Sequence, residues 1–175
     1  MASRGCKYPA DIFCYVCGLY VGPKHVSYKI VPGNKYYIAY DFYFGMAIGD
    51  QDKSWAPHVI CGSCKSTLEG WLRGQKRAMP FGVPRIWREP TNHYDDCYFC
   101  MTDITEYRKA KGRSGIPYPN IPSSIAPVPH DETLPIPKPP LNVSINIKYF
   151  TIKYPLENVG QYLYIVVNGY IIILI

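Results

Sequence analysis

Three cysteine pairs with the spacing Cys-x-x-Cys stand in the first hundred residues: Cys14 with Cys17, Cys61 with Cys64, and Cys97 with Cys100. Two histidines precede two of these pairs, since His58 lies three residues before Cys61 and His93 lies four residues before Cys97. A Cys-x-x-Cys turn lets both sulfur atoms reach one metal ion from the same side, and structural zinc takes four such ligands in a tetrahedron. Six thiols and two imidazoles therefore supply the eight ligands that two closed zinc sites need.

The spacing favours one division of these ligands. The first zinc ion takes Cys14, Cys17, Cys61 and Cys64, and the second takes His58, His93, Cys97 and Cys100. A swapped division, with His58 on the first ion and Cys61 or Cys64 on the second, stays open at this point. Cys6 has no cysteine partner two residues away, so we expect it to be a free thiol near a frayed terminus.

Other chemistry for these residues is disfavoured. A redox Cys-x-x-Cys pair belongs to a thioredoxin-like βαβ unit, which the sequence does not resemble. Catalytic zinc keeps one open coordination position beside a general base. His-Glu-x-x-His does not occur, and the His-x-Glu string at residues 130–132 has no thiol pair nearby. We therefore expect no enzymatic activity and no small-molecule substrate. His25 and His130 have no thiol pair nearby and are expected to be solvated.

Two helices are predicted around the metal ligands. Residues 62–74 begin at the second cysteine pair, and Leu68, Trp71 and Leu72 recur at helical spacing, which gives one apolar face. The aromatic segment 34–44 fits neither a helical nor a strand period cleanly. Asn34 as a cap and Gly45 as a terminator favour helix over strand, with the aromatic side chains forming core more readily than a base-stacking platform.

These elements predict a small α+β domain, stabilised by two zinc ions and treble-clef-like, over residues 1–112. A Pro-rich linker without packed structure follows at 113–141, because nine prolines fall between Pro117 and Pro140. Residues 142–175 form an Ile-, Tyr- and Asn-rich tail. Its two apolar runs around Asn168 and Gly169 predict a β-hairpin, although the composition equally resembles translated non-coding sequence. No run is apolar and continuous enough for a membrane span, so no membrane partner is expected.

An extended basic strap is predicted at residues 74–89, where prolines disfavour helix. Its charges, together with an arginine near the end of the preceding helix, give five candidate nucleic-acid contacts: Arg73, Lys76, Arg77, Arg85 and Arg88. Basic side chains interleaved with Phe81 and Trp87 are able to contact phosphates and bases. The same strap also fits a solvated surface whose apolar residues pack on the zinc core. The net charge of +6 supports nucleic acid only weakly.

Several sequence strings resemble a known protein group: residues 49–58 (GDQDKSWAPH), 76–81 (KRAMPF), 87–93 (WREPTNH), 96–101 (DCYFCM), 116–125 (IPYPNIPSSI) and 127–130 (PVPH). Over residues 12–140 the chain resembles the N-terminal cysteine-rich region of a large group of transposon-associated, multi-copy arthropod proteins of uncharacterised biochemistry. The resemblance implies a mobile-element origin with DNA or chromatin binding. Members of that group continue for several hundred residues beyond the linker, so this chain looks like a truncated copy.

The leading hypothesis is therefore a non-enzymatic zinc module that binds nucleic acid. The alternative is a zinc-stabilised protein-interaction or dimerisation module of the RING-like adaptor class, although the Cys-x-His pair of a true RING is missing. The N-terminal residues contain no apolar run typical of a signal peptide. Cysteines that bind metal are typical of a reducing compartment, so an intracellular and nuclear location is expected.

Overall fold

The computed structural model describes residues 5–108 and 113–140, together with three short strands at 150–152, 163–167 and 170–174. Within these residues it is a small mixed α/β protein built from short elements. Its core is rich in aromatic side chains, of which Trp71, Tyr40 and Phe13 are the largest that are fully buried. In the described part of the chain no helix has the length and apolar character needed to cross a bilayer.

Both predicted helices are present. Helix α1 spans Lys35–Phe44 and ends at Gly45, whose φ of 64° is the left-handed conformation that glycine adopts readily. Helix α2 spans Gly62–Leu72, and its apolar stripe is buried as the spacing predicts. On α1 the buried residues are Tyr36, Ala39, Tyr40 and Tyr43. Their i, i+3, i+4, i+7 spacing confirms helix, and their burial confirms that these aromatic residues form core.

A two-stranded antiparallel sheet leads into α2. Strand β1 (Ser27–Lys29) pairs with β2 (Val59–Cys61) in a register that sets Ser27 opposite Cys61. Strand β2 is wholly buried, whereas all of β1 is exposed. Because α2 follows β2 without a linker, this pairing fixes where the helix begins.

The basic strap is extended, as predicted, and it forms two short strands, β3 (Phe81–Val83) and β4 (Ile86–Trp87). The one-turn helix α3 (Tyr98–Met101) follows. The chain then returns through the Pro-rich segment as β5 (Ser124–Ile125) and β6 (Val128–Pro129). Strand β5 pairs antiparallel with β4, and β6 pairs antiparallel with β3.

The expectation of an unpacked linker at 113–141 is therefore wrong for its described residues. Ile116 is 3% exposed, and Ser123 and Ser124 are buried. The indole N–H of Trp71 donates a hydrogen bond to the Pro137 carbonyl at 2.9 Å. His130 was expected to be solvated, yet its Nε2 lies 2.9 Å from the hydroxyl of Tyr43. Proline removes an N–H donor, but its carbonyl still accepts, so a Pro-rich segment can be held by donors from the core.

Three strands are described in the tail: β7 (Phe150–Ile152), β8 (Leu163–Val167) and β9 (Tyr170–Leu174). Strand β8 lies between the other two and pairs antiparallel with both. The pairing of Val167 with Tyr170 leaves two residues between β8 and β9, which is the hairpin spacing predicted. The turn residues Asn168 and Gly169 themselves lie outside the described residues.

Candidate metal centres

Four thiols meet in the protein core to form what we call the inner cluster. The Sγ atoms of its members all lie within 4.8 Å of one another, and all four residues are buried: Cys14, Cys17, Cys61 and Cys64. The sulfurs of Cys17 and Cys61 are 4.0 Å apart. A tetrahedral zinc ion with bonds of ~2.3 Å holds its sulfur ligands ~3.8 Å apart. The inner cluster therefore has the ligand type, number and spacing to hold a metal ion.

A tight turn presents the first two thiols. Phe13 and Tyr20 form an antiparallel bridge, and within it the Gly18 amide donates to the Cys14 carbonyl at 2.8 Å. Gly18 has a φ of +76°, and a Cβ atom there would lie 2.2 Å from Nε of Arg85. Only glycine meets both conditions, so Gly18 lets this turn close against the arginine.

The start of α2 presents the other two thiols. Cys61 is the residue before the helix, and Cys64 lies in its first turn, where the helix dipole favours negative charge. The amide of Cys61 donates to the sulfur of Cys14 at 3.3 Å. Hydrogen bonds from the thiols of Cys14 and Cys17 lower the pKa of Cys61 strongly. Interaction with Cys14 raises the pKa of Cys17 and of Cys64. Four thiolates this close repel one another, which a bound cation relieves.

An arginine lies against this cluster. Nη2 of Arg113 donates to the hydroxyl of Ser63 at 2.9 Å. Burial alone would lower the pKa of Arg113, but the charge on the Cys61 sulfur and a hydrogen bond to it raise that pKa overall. Arg113 therefore places a positive charge beside a group of thiolates that carries excess negative charge when metal is bound.

A second set of ligands, which we call the outer cluster, consists of Cys6, His93, Cys97 and Cys100. Nδ1 of His93 lies 3.3 Å from the sulfur of Cys100 and 3.6 Å from that of Cys6. The sulfurs of Cys6 and Cys97 are 3.7 Å apart. These distances fit a Cys₃His site in which His93 binds through Nδ1. Cys97 is buried, whereas the other three residues are half-buried, so this cluster lies nearer to solvent.

The loop carrying His93 is fixed by Asp96. One carboxylate oxygen of Asp96 accepts hydrogen bonds from the amide and the hydroxyl of Thr91, each at 3.0 Å. The other oxygen accepts from the Ser123 amide at 2.9 Å. These bonds, the one from the Thr91 amide foremost, lower the pKa of Asp96. The Pro-rich segment thus helps to hold the loop that presents His93.

The fourth ligand of the outer cluster differs from the sequence prediction, which is wrong for two residues. His58 does not lie in the outer cluster, because Asp11 accepts hydrogen bonds from both its Nδ1 and its backbone amide, at 2.9 and 2.8 Å. Cys6 is not a free terminal thiol, since it occupies the position assigned to His58. Burial, followed by interactions with Cys97, raises the pKa of Cys6 to about 12. The sequence contains an indication of this ligand set, because seven cysteines and His93 also supply the eight ligands that two sites need.

One of the five candidate nucleic-acid contacts is buried. Arg85 is 4% exposed, and its Nη1 donates to the Pro119 carbonyl, the Ser124 carbonyl and the Ser124 hydroxyl at 3.0–3.1 Å. Its guanidinium also lies 4.6 Å from the centroid of the Tyr98 ring. Burial lowers the pKa of Arg85. Arg85 therefore joins the Pro-rich segment to the domain and does not face solvent, which corrects that assignment.

The other four candidates are exposed: Arg73, Lys76, Arg77 and Arg88. Arg73 ends α2, and Lys76 and Arg77 lie in the turn that follows. The aliphatic part of Arg77 passes close to Gly70, where a Cβ atom would lie 2.7 Å from its Cδ. Three of the four thus lie together at the end of α2.

The chain was compared with protein-family models, with curated proteins and with solved structures, and none of the three comparisons found a match.

Proposed function

We propose that this chain is a non-enzymatic two-zinc module that binds nucleic acid through its exposed basic residues. The observation that carries the metal assignment is the convergence of two sets of four soft ligands, each within 4.8 Å. Tetrahedral sites rich in thiolate select Zn²⁺ or iron–sulfur clusters over hard cations such as Mg²⁺ or Ca²⁺. The imidazole in the outer cluster and the close sulfur spacing in both favour a single zinc ion in each.

Both sites are closed, which supports a structural role for the metal. Each cluster supplies four protein ligands, so no coordination position is left for water or substrate, as a catalytic zinc ion requires. The order of elements also matches a treble clef. A Cys-x-x-Cys turn comes first, then two antiparallel strands, and then a helix that begins at the second cysteine pair. We extend the proposal to that fold and, on the resemblance above, to a mobile-element origin and a nuclear location.

Nucleic-acid binding is supported by the grouping of Arg73, Lys76 and Arg77 at the exposed end of α2. They lie at the end of α2 and just after it, so contact with phosphates is expected to exceed base readout. Arg88 adds a fourth exposed cation on the strap.

Metal analysis of the full-length chain tests the first half of the proposal. We expect two zinc ions per chain and unfolding on chelation, because a core this small depends on its metal ions. One ion per chain, a visible iron–sulfur absorption spectrum, or a fold that survives chelation would contradict it.

A salt titration of DNA and RNA binding tests the second half. Replacing Arg73, Lys76 and Arg77 together by alanine should weaken binding similarly across sequences. It should also reduce the salt slope by roughly 0.7–0.9 per lost phosphate contact, with the zinc content unchanged. Lys53→Ala is the matched control, because Lys53 is a surface lysine already paired with Asp52 at 3.0 Å.

A protein partner is the second candidate. It is favoured by apolar side chains exposed on either side of β1, where Val26 is 62% and Val31 is 47% exposed. If the wild-type chain has no affinity for DNA or RNA at low salt while both zinc ions are bound, this candidate replaces the first.

A further inference from the structure

A cavity of about 420 Å³ lies between β1 and the first turn of α1. Its lining includes three lysines, Lys29, Lys35 and Lys65, and one glutamate, Glu69. Three positive charges and one negative charge leave it with a net charge of +2. Its size falls within the roughly 300–1,000 Å³ of pockets that hold small organic ligands.

One wall of the cavity is an aromatic ring. Tyr28 is 40% exposed, although it lies on a strand whose partner β2 is wholly buried. Nζ of Lys65 lies 4.8 Å from the centroid of this ring and 3.0 Å from a carboxylate oxygen of Glu69. Lys65 therefore lies over one face of the Tyr28 ring, and the cavity combines a partly exposed aromatic ring with cations. An aromatic ring beside cations is the pairing that recognises a base and its phosphate.

The cavity is continuous with the basic end of α2. Lys65, Glu69 and Arg73 follow one another at intervals of four residues, so they fall on one face of the helix. Eight residues of helix separate Lys65 from Arg73 by ~12 Å. The exposed turn carrying Lys76 comes next. On this face of α2 the lysine of the cavity is thus followed by Glu69 and then by Arg73.

We propose that this cavity is the base-binding end of a site for single-stranded nucleic acid. A base stacks on the part of the Tyr28 ring that Lys65 leaves exposed, and the phosphate beside it contacts Lys29, Lys35 and Lys65. The inference rests on the proposed function and names the kind of nucleic acid that is bound. The strand then continues along α2, where Arg73 and Lys76 contact further phosphates. A single strand is the ligand because its bases are free to stack, whereas those of a duplex are enclosed in the helix.

Hydrogen bonds hold the side chains at the α1 end of the cavity. The phenol of Tyr36 accepts a hydrogen bond from the Asn34 amide at 2.8 Å and donates one to the Lys29 carbonyl. Asn34 lies at the start of α1, where its side chain makes no capping hydrogen bond. The amide groups of this first turn add partial positive charge on the side of the cavity where a phosphate is expected.

Fluorescence anisotropy with a labelled oligothymidine of about twelve nucleotides, on the full-length zinc-loaded chain at low salt, tests the inference. We expect Tyr28→Ala to weaken binding by roughly 5- to 150-fold, while Tyr28→Phe keeps the affinity of the wild type. Lys65→Ala should weaken binding and flatten its salt dependence by about 0.7. Glu69→Gln should strengthen binding, because it removes the one carboxylate of the cavity. Lys53→Ala is the control that should change nothing.

Zinc content and circular dichroism establish that each variant is folded. If Tyr28→Ala loses zinc, the gain in affinity expected of Glu69→Gln becomes the test of the cavity's role. Oligothymidine binding that is unaffected by both Tyr28→Ala and Glu69→Gln would overturn the proposed role of the cavity and leave the proposed function intact. Duplex DNA bound as tightly as the single strand, with Tyr28→Ala without effect on either, would also overturn it. A wild-type chain that binds no nucleic acid would overturn both proposals.

Discussion

The sulfur of Cys6 lies 3.7 Å from that of Cys97, although 91 positions separate the two residues in the sequence. The contact brings the N-terminal segment against α3, and the Lys7 amide reinforces it with a hydrogen bond to the sulfur of Cys100 at 3.5 Å. Residues 5–13, the described residues before the first cysteine pair, are therefore part of the domain.

Replacing Cys6 by serine should reduce bound zinc from two ions per chain to one. Serine is close in size, but a hydroxyl does not replace a thiolate as a zinc ligand. His58→Ala is the matched control and should retain both ions, because His58 contacts Asp11 and not the outer cluster. Metal analysis of the dialysed, full-length variants measures both. Loss of zinc in His58→Ala with none lost in Cys6→Ser would restore the original ligand set.

Replacing Arg85 by alanine should destabilise the protein and leave nucleic-acid affinity unchanged in the folded fraction. The change removes three hydrogen bonds that a buried guanidinium donates, which costs about 3 kcal/mol. Urea unfolding with zinc present measures it. Arg88→Ala, at an exposed position on the same strap, should change the free energy of unfolding by less than about 0.5 kcal/mol. Equal effects of the two substitutions would contradict the packing of Arg85.

Asp41→Asn should stabilise the domain at neutral pH. Burial raises the pKa of Asp41 from its ordinary 3.8 to about 6, and among the described residues its Oδ1 is buried without a hydrogen-bond partner. Ionisation is thus less favourable in the folded than in the unfolded chain, so stability is lost as pH rises from about 4 to about 6. With allowance for solvent screening at this half-buried position, we expect a gain of about 1 kcal/mol at pH 7.

That gain should shrink as the pH falls below about 6, because the wild-type carboxyl then becomes neutral as well. Urea unfolding at about pH 7 and about pH 5 makes the comparison. A gain that is equal at both pH values would show that ionisation of Asp41 is not its cause.

The Pro-rich segment should exchange its amide hydrogens slowly. The Ser123 amide donates to Asp96 at 2.9 Å, and the Arg88 amide donates to the Ser123 carbonyl at 2.8 Å. Hydrogen exchange followed by mass spectrometry should show protection at both positions. Asp96→Ala should abolish it at Ser123 first. Exchange at the rate of an unfolded peptide in the wild-type chain would instead establish the linker that composition predicts.

Local spacing was sufficient for α2 and for each Cys-x-x-Cys turn, because each depends on residues a few positions apart. The meeting of the two inner pairs followed instead from the four ligands that a structural zinc ion takes. Local spacing was insufficient for Cys6 and Arg85. Neither residue differs in its immediate sequence from a free thiol or a solvated cation, and each acquires its role from partners far along the chain. Strands β5 and β6 are two residues long, too short for an alternating pattern to be visible. The carbonyl of Pro137 accepts a hydrogen bond from Trp71, and nothing in the composition of the Pro-rich segment indicates this contact.

The order of the ligands along the chain determines how the molecule comes apart. All four residues of the inner cluster lie between Cys6 and His93, so the loop that it closes is nested inside the loop closed by the outer cluster. Opening the outer loop releases the N-terminal segment, whereas the inner loop stays closed by its own cluster. The outer loop is also the longer, and its ends are entropically harder to bring together. Metal loss should therefore proceed in sequence from the outer ion to the inner one, and reassembly should begin with the segment between Cys14 and Cys64.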